Sequence, residues 1–193
     1  GDFCVDAYRA QMGSDVAIAN SGGIRDNIPK GEITYASLMK VNPFGNMLGM
    51  IEVTGQQIVD ALEWGARAYP EESGSFLQVS GLTYEIDPSI PDPCKKNSED
   101  AFVGIEGERR VKNVKVGDEP IDLKKTYTLA GVEFMLFENG DGYTMFDGAK
   151  VLQQGSILDI QALINYMLAQ PNETVGEEYA DPYGNGRITI LEK

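Results

Sequence analysis

The densest chemistry near the start of the chain lies in six residues, Asn20-Ser21-Gly22-Gly23-Ile24-Arg25. Asn20 offers a donor and an acceptor. Arg25 offers a fixed fork of donors suited to phosphate, carboxylate or sugar oxygens. The paired glycines Gly22 and Gly23 permit positive φ and let a ligand approach the main chain closely. Taken alone, the six residues read as a tight turn with a surface arginine. Two further side chains are framed by turn residues. Phe44 lies in Val41-Asn42-Pro43-Phe44-Gly45-Asn46, where Pro and Gly leave no room for a regular element. Asp141 lies between Gly140 and Gly142 in a second glycine-rich loop, Glu138-Asn139-Gly140-Asp141-Gly142-Tyr143. Each has a structural reading, Phe44 as a core plug and Asp141 as an Asx-turn residue.

Composition limits what chemistry these residues can serve. The chain of 193 residues contains no histidine, which excludes a Ser-His-Asp triad, a histidine general base and a histidine-held zinc site within it. Its net charge of −14 argues against a general nucleic-acid surface, since phosphate neutralisation needs clustered Lys and Arg. No run of about 18 apolar residues is present to span a membrane. Of the two cysteines, Cys4 sits in an apolar helical pattern as a buried thiol and Cys94 in a Pro-rich loop, Pro91-Asp92-Pro93-Cys94. No disulfide between them is expected.

The elements that must position these residues follow from periodicity. Helical spacing runs from Asp2 to Met12, with Phe3, Ala7 and Ala10 on one face and Gly13 as C-cap. This helix lacks an N-cap side chain at Gly1 and reads as cut from something longer. Val16 to Ala19 is a buried strand leading into Asn20. Thr34 caps a short helix through Lys40, and Thr54 caps a strong one from Gly55 to about Tyr69. Strands are predicted over 46–53, 76–79, 82–86, 110–116, 127–132 and 186–191. A helix is predicted from Ile157 to about Ala169, broken by Pro171. Residues 88–101 form a polar, Pro-containing excursion. Trp64 reads as a core or interdomain residue. The stretch Asp181-Pro182-Tyr183-Gly184-Asn185-Gly186 lacks the spaced carboxylates of a calcium loop and reads as a turn. Strands and helices mix without strict βαβ alternation, so the fold class is α+β, a single domain over 1–193 with mixed sheets.

Four short motifs occur in a telling order: Asn20-Ser21-Gly22-Gly23-Ile24-Arg25, Gly31-Glu32-Ile33-Thr34, Pro43-Phe44-Gly45-Asn46 and Gly140-Asp141-Gly142-Tyr143, with Gly186-Arg187-Ile188 closing the chain. Each is weak alone. Together they resemble the C-terminal domain of the 5′-nucleotidase family, which also includes UDP-sugar hydrolases and cyclic-nucleotide phosphodiesterases. The resemblance implies a nucleotide-recognition domain whose partner is an N-terminal metallophosphoesterase domain holding two divalent metal ions. No catalytic residue and no metal ligand is then expected in this chain. A family arginine motif lies upstream of the first helix and so falls outside the sequence.

By the same resemblance, Asn20 meets the base or its edge, and Arg25 meets ribose or phosphate oxygens beside the Gly22–Gly23 main chain. Phe44 stacks on the base, and Asp141 accepts hydrogen bonds from both ribose hydroxyls. The family's second stacking phenylalanine falls six residues before the loop aspartate, where this chain has Met135. A one-residue insertion restores Phe134 to that role, with Phe137 as the alternative. The implied setting is a secreted, periplasmic or cell-surface phosphohydrolase acting on nucleotides. The competing class is a protein-binding or adhesion module that keeps the fold without binding nucleotides.

Overall fold

The computed structural model describes residues 1–181 and 186–192. In chain order, α1 (Asp2–Met12) leads to β1 (Val16–Asn20), α2 (Tyr35–Val41), β2 (Met47–Thr54) and α3 (Gly55–Ala66). β3 (Leu77–Ser80), β4 (Leu82–Ile86), β5 (Cys94–Lys96), β6 (Phe102–Ile105), β7 (Val111–Val116) and β8 (Glu119–Pro120) follow. The chain continues through β9 (Thr126–Val132), α4 (Glu133–Leu136), β10 (Lys150–Leu158), α5 (Asp159–Leu168) and β11 (Ile188–Ile190).

Local signals explain the principal elements. Thr34 and Thr54 each close a capping box, with Ser37 and Gln57 returning the bond to the cap main chain. Gly13 ends α1 in the left-handed region at φ 65°. Helix α3 stops at Ala66, short of the expected Tyr69. Pro70 disfavours helical geometry at Tyr69, and the Arg110 guanidinium takes the carbonyls of Ala66, Arg67 and Tyr69.

A five-stranded mixed sheet in the order β10-β2-β9-β1-β3 holds the centre, with only the β1–β9 pair parallel. Helix α1 packs on β1, β3 and β9, and α5 packs on α1. Helix α3 lies between this sheet and a second, four-stranded one, β11-β4-β7-β8, touching β2, β3 and β7. All five residues of β1 are buried, as expected for a strand covered on both faces. The architecture is α+β with mixed sheets.

Two further departures from sequence expectation stand out. Strand β10 replaces both an unassigned stretch and the start of the expected helix, so Ile157 and Leu158 are strand residues and α5 begins at Asp159. Two register shifts against β2 disrupt the alternation that would have revealed β10. The excursion 88–101 contains β5, which pairs with β6. Cys4 and Cys94 are both free thiols, the first buried as expected. Most of the 181–186 turn lies outside the described residues. Among the described residues, no helix is long and apolar enough to cross a membrane.

Candidate functional site

Strand direction brings distant motifs to one edge of the central sheet. Strand β1 ends there at Asn20, and its parallel neighbour β9 ends there before α4 and the Gly140–Gly142 loop. Strand β2 runs antiparallel to β9, with Leu48 opposite Val132, so it starts at the same edge, just after Phe44. Carboxyl ends of parallel strands are where α/β-type sheets commonly open a ligand crevice.

At this edge Asn20 and Asp141, separated by 121 positions, meet directly. The Asn20 amide Nδ2 donates to Asp141 Oδ2 at 2.7 Å. Asn20 is 8% exposed, whereas Asp141 is exposed. The bond uses one of the carboxylate's roughly four lone-pair positions, so Asp141 keeps accepting capacity toward solvent. Its main chain is held separately. Asp141 adopts φ 55°, a conformation Asp tolerates better than most residues, and the buried Trp64 indole N–H donates to its carbonyl at 2.8 Å. Gly142, at φ +81°, has no space for a Cβ, which would come 2.8 Å from the Trp64 ring. Trp64 is thus a core residue that also fixes this loop.

The glycines after Asn20 permit close approaches. Gly22 N donates to Gly74 O at 2.7 Å, and a Cβ on Gly22 would lie 3.2 Å from the Gly74 main chain. A Cβ on Gly23 would lie 3.0 Å from Asn20 Oδ1. Arg25 is exposed. Its Nη1 donates to Gly22 O at 3.3 Å, and its main-chain N donates to Val41 O at 2.8 Å. That last bond ties the arginine loop to the end of α2, three residues before Phe44.

The aromatic candidates differ in setting. Phe44 is 62% exposed and Phe134 37%. The Phe134 ring lies over Gly140, where a Cβ would fall 2.5 Å from Cδ1 and Cζ. Phe137 instead packs under the sheet, its Cε2 at 2.5 Å from where a Cβ on Gly49 would sit. Phe134 therefore borders the Asp141 loop with an open face, while Phe137 is joined to the core. The shared sheet edge is what relates Phe44 to Asn20 and Asp141.

An open cleft of about 730 Å³ adjoins Asp141 and is lined also by Arg67, Gly74, Ser75, Gly142 and Thr144. Arg67 stacks 3.6 Å above the Trp64 ring and donates to Ser75 Oγ at 2.8 Å. Gly74, Ser75 and Arg67 carry no motif: the first two arrive through the β1–β3 pairing, and Arg67 at the end of α3. Among the described residues, no group of three or more His, Cys, Asp or Glu gathers to hold a metal ion. This edge gathers a carboxylate, an amide, an arginine and exposed aromatic faces, groups whose chemistry suits a polar, ring-bearing ligand.

Comparison with known proteins places these features in context. Residues 1–148 match the family model described as 5′-nucleotidase, C-terminal domain. The silent protein UshA(0) of Salmonella typhimurium is 30% identical over 191 residues, covering 99% of this chain and 30% of that protein. A 5′-nucleotidase of Vibrio cholerae is 28% identical over 88% of this chain and 27% of its own length. The crystal structure of a 5′-nucleotidase precursor from Thermus thermophilus superposes with a TM-score of 0.80 at 31% identity, covering all of this chain and 35% of that one. The chain thus spans about a third or less of the length of these relatives.

Proposed function

From the chain's membership of the 5′-nucleotidase C-terminal domain family, to which it belongs, we propose that it is the nucleotide-recognition part of a phosphohydrolase. The observation that carries this reading is the Asn20–Asp141 bond at the sheet edge shared with Phe44 and Phe134. A carboxylate held by its main chain and one amide is preorganised to accept from a ribose diol, at little cost on binding. Exposed phenylalanine faces tolerate any base, so they supply affinity without choosing among bases. Arg25, on the Gly22–Gly23 turn, is placed for sugar or phosphate oxygens. Asn20 in this arrangement does double service, orienting Asp141 while its remaining edge meets the ligand.

In this proposal the hydrolytic step belongs to another domain of the parent polypeptide. Two divalent metal ions held by that domain would supply activated water and charge neutralisation at phosphorus. The work of this chain is to bind the nucleoside portion and fix its orientation. A secreted, periplasmic or cell-surface location is part of the proposal through the family alone.

The test is titration of the chain with adenosine, followed by amide and aromatic NMR signals. Saturable binding that falls about 5- to 100-fold in Phe44→Ala, and falls again in Asp141→Ala, is the expected result. A chain that ignores adenosine would favour a protein-binding module on the same fold.

A further inference from the structure

A ring that is 62% exposed is not fixed by its own burial, so the Phe44 turn has to be held from below. Of the two residues flanking Pro43-Phe44-Gly45, Asn46 bonds one buried acidic residue and Asn42 is anchored on a helix. Asp159, 1% exposed, opens α5 directly after the last β10–β2 pair, Leu158 opposite Met47. It therefore falls opposite Asn46, and its N–H donates to Asn46 O at 2.8 Å. The Asn46 amide donates back to Asp159 Oδ2 at 3.4 Å. The Ile160 N–H donates to the other carboxyl oxygen, Oδ1, at 2.7 Å, and the neighbouring Asn42 amide favours the ionised form.

Asn42 is itself 2% exposed and anchored on α1. Its Nδ2 donates to the Tyr8 hydroxyl at 2.6 Å, and the Cys4 thiol lies 3.9 Å from its Oδ1. Burial pushes the Asp159 carboxyl above its ordinary value despite the hydrogen bonds from Ile160 and Asn46 and the neighbouring Asn42 amide. An apolar side chain would fill that space without a desolvation cost, so the carboxyl is poorly explained by packing. What it adds is geometry: it ties the exit of one three-residue turn to α5, while Asn42 ties the entry to α1.

We propose that Asp159, acting through Asn46 on the turn whose other end Asn42 anchors on Tyr8, is a positioning residue that sets the Phe44 turn and so presents the Phe44 ring to the nucleobase. This rests on the reading of Phe44 as a base-stacking residue. Gly45, at φ 64°, supplies the backbone conformation that lets the turn close between its two anchors.

The experiment is a double-mutant cycle on adenosine affinity, using the chain itself as wild type, Phe44→Ala, Asp159→Asn and the double variant. Asp159→Asn keeps the volume but replaces one acceptor oxygen with a donor. It should weaken adenosine about 3- to 10-fold, shift the Gly45 amide and Phe44 ring signals, and cost nothing further once Phe44 is alanine. Tyr8→Phe loosens Asn42 alone and leaves the buried carboxyl intact. It should weaken binding about 2- to 3-fold through the same cycle, and it carries the test if Asp159→Asn does not fold. Wild-type affinity in the Asp159 variant, or an equal loss whether or not Phe44 is present, overturns the positioning role while leaving the stacking reading intact. Equal binding by wild type and Phe44→Ala refutes the stacking reading, and the proposal falls with it.

Discussion

Replacing Asn20 by aspartate converts the 2.7 Å amide–carboxylate bond to Asp141 into a pair of like charges. Two unit charges at that distance repel by about 1.5 kcal/mol in bulk water and about 6 kcal/mol at an effective dielectric of about 20. Asp141 is exposed and its side chain can turn outward, so the lower figure governs the repulsion. The lost charge-assisted bond adds roughly 1.5 kcal/mol, giving a deficit of about 3 kcal/mol. For a chain of 193 residues that is a fall in Tm of roughly 6–12 °C near neutral pH. The sign with pH follows from linkage. A carboxyl harder to ionise in the folded than in the unfolded chain costs stability above its folded pKa and nothing below its unfolded one. The Asn20→Asp deficit should therefore shrink as the pH is lowered and the pair takes up a proton. Asn20→Ala loses the bond without adding charge, so its deficit relative to wild type should change much less over that range. Thermal unfolding of the three proteins across the acid range checks this. Parallel pH curves for the two variants would mean that residues 20 and 141 do not touch, and the site would lose its organising contact.

Further expectations separate the elements around the site. Gly140→Ala should swing the Phe134 ring away, lowering adenosine affinity about as much as Phe134→Ala while costing under about 1 kcal/mol of stability, because that ring is partly exposed. Gly49→Ala should do the reverse, destabilising the chain by roughly 1–3 kcal/mol through the contact of buried Gly49 with the half-buried Phe137 ring, with little effect on affinity. Asp6 is opposed by burial, yet hydrogen bonds from Arg187, Ser80 and Tyr179 outweigh it and hold its carboxyl below the usual value. Its contribution is therefore present above the ordinary carboxylate value and lost as pH falls through the depressed one. Asp6→Asn should cost about 1–3 kcal/mol at neutral pH, and acid titration of Tm should show the gap from wild type closing below about pH 4.

The parts of this fold that were legible in the sequence are those with local causes. Thr34 and Thr54 each announce a helix three residues before the residue that completes the cap, and β4 alternates cleanly from Leu82 to Ile86. Strand β10 was not legible because its bulges break the period of two, and β5 was hidden by the prolines before it. At the site, Asn20, Arg25, Phe44 and Asp141 stand out by their frames of turn residues. Their meeting does not, since it depends on β1 and β9 running parallel and β2 running against them. Trp64 was legible as a core residue, but its bond to the Asp141 carbonyl spans 77 positions and has no sequence signal. Asp159 was hidden for the same reason: only the β10–β2 register brings it opposite Asn46.

The central claim is that one sheet edge holds a nucleoside by its base and its ribose together. A structure of the chain with adenosine bound tests it most directly. The base should lie against Phe44 and Phe134, with both ribose hydroxyls donating to Asp141, whose carboxylate keeps its bond to Asn20. Adenosine stacked on Phe137, or seated away from Asp141 and Phe44, would contradict it.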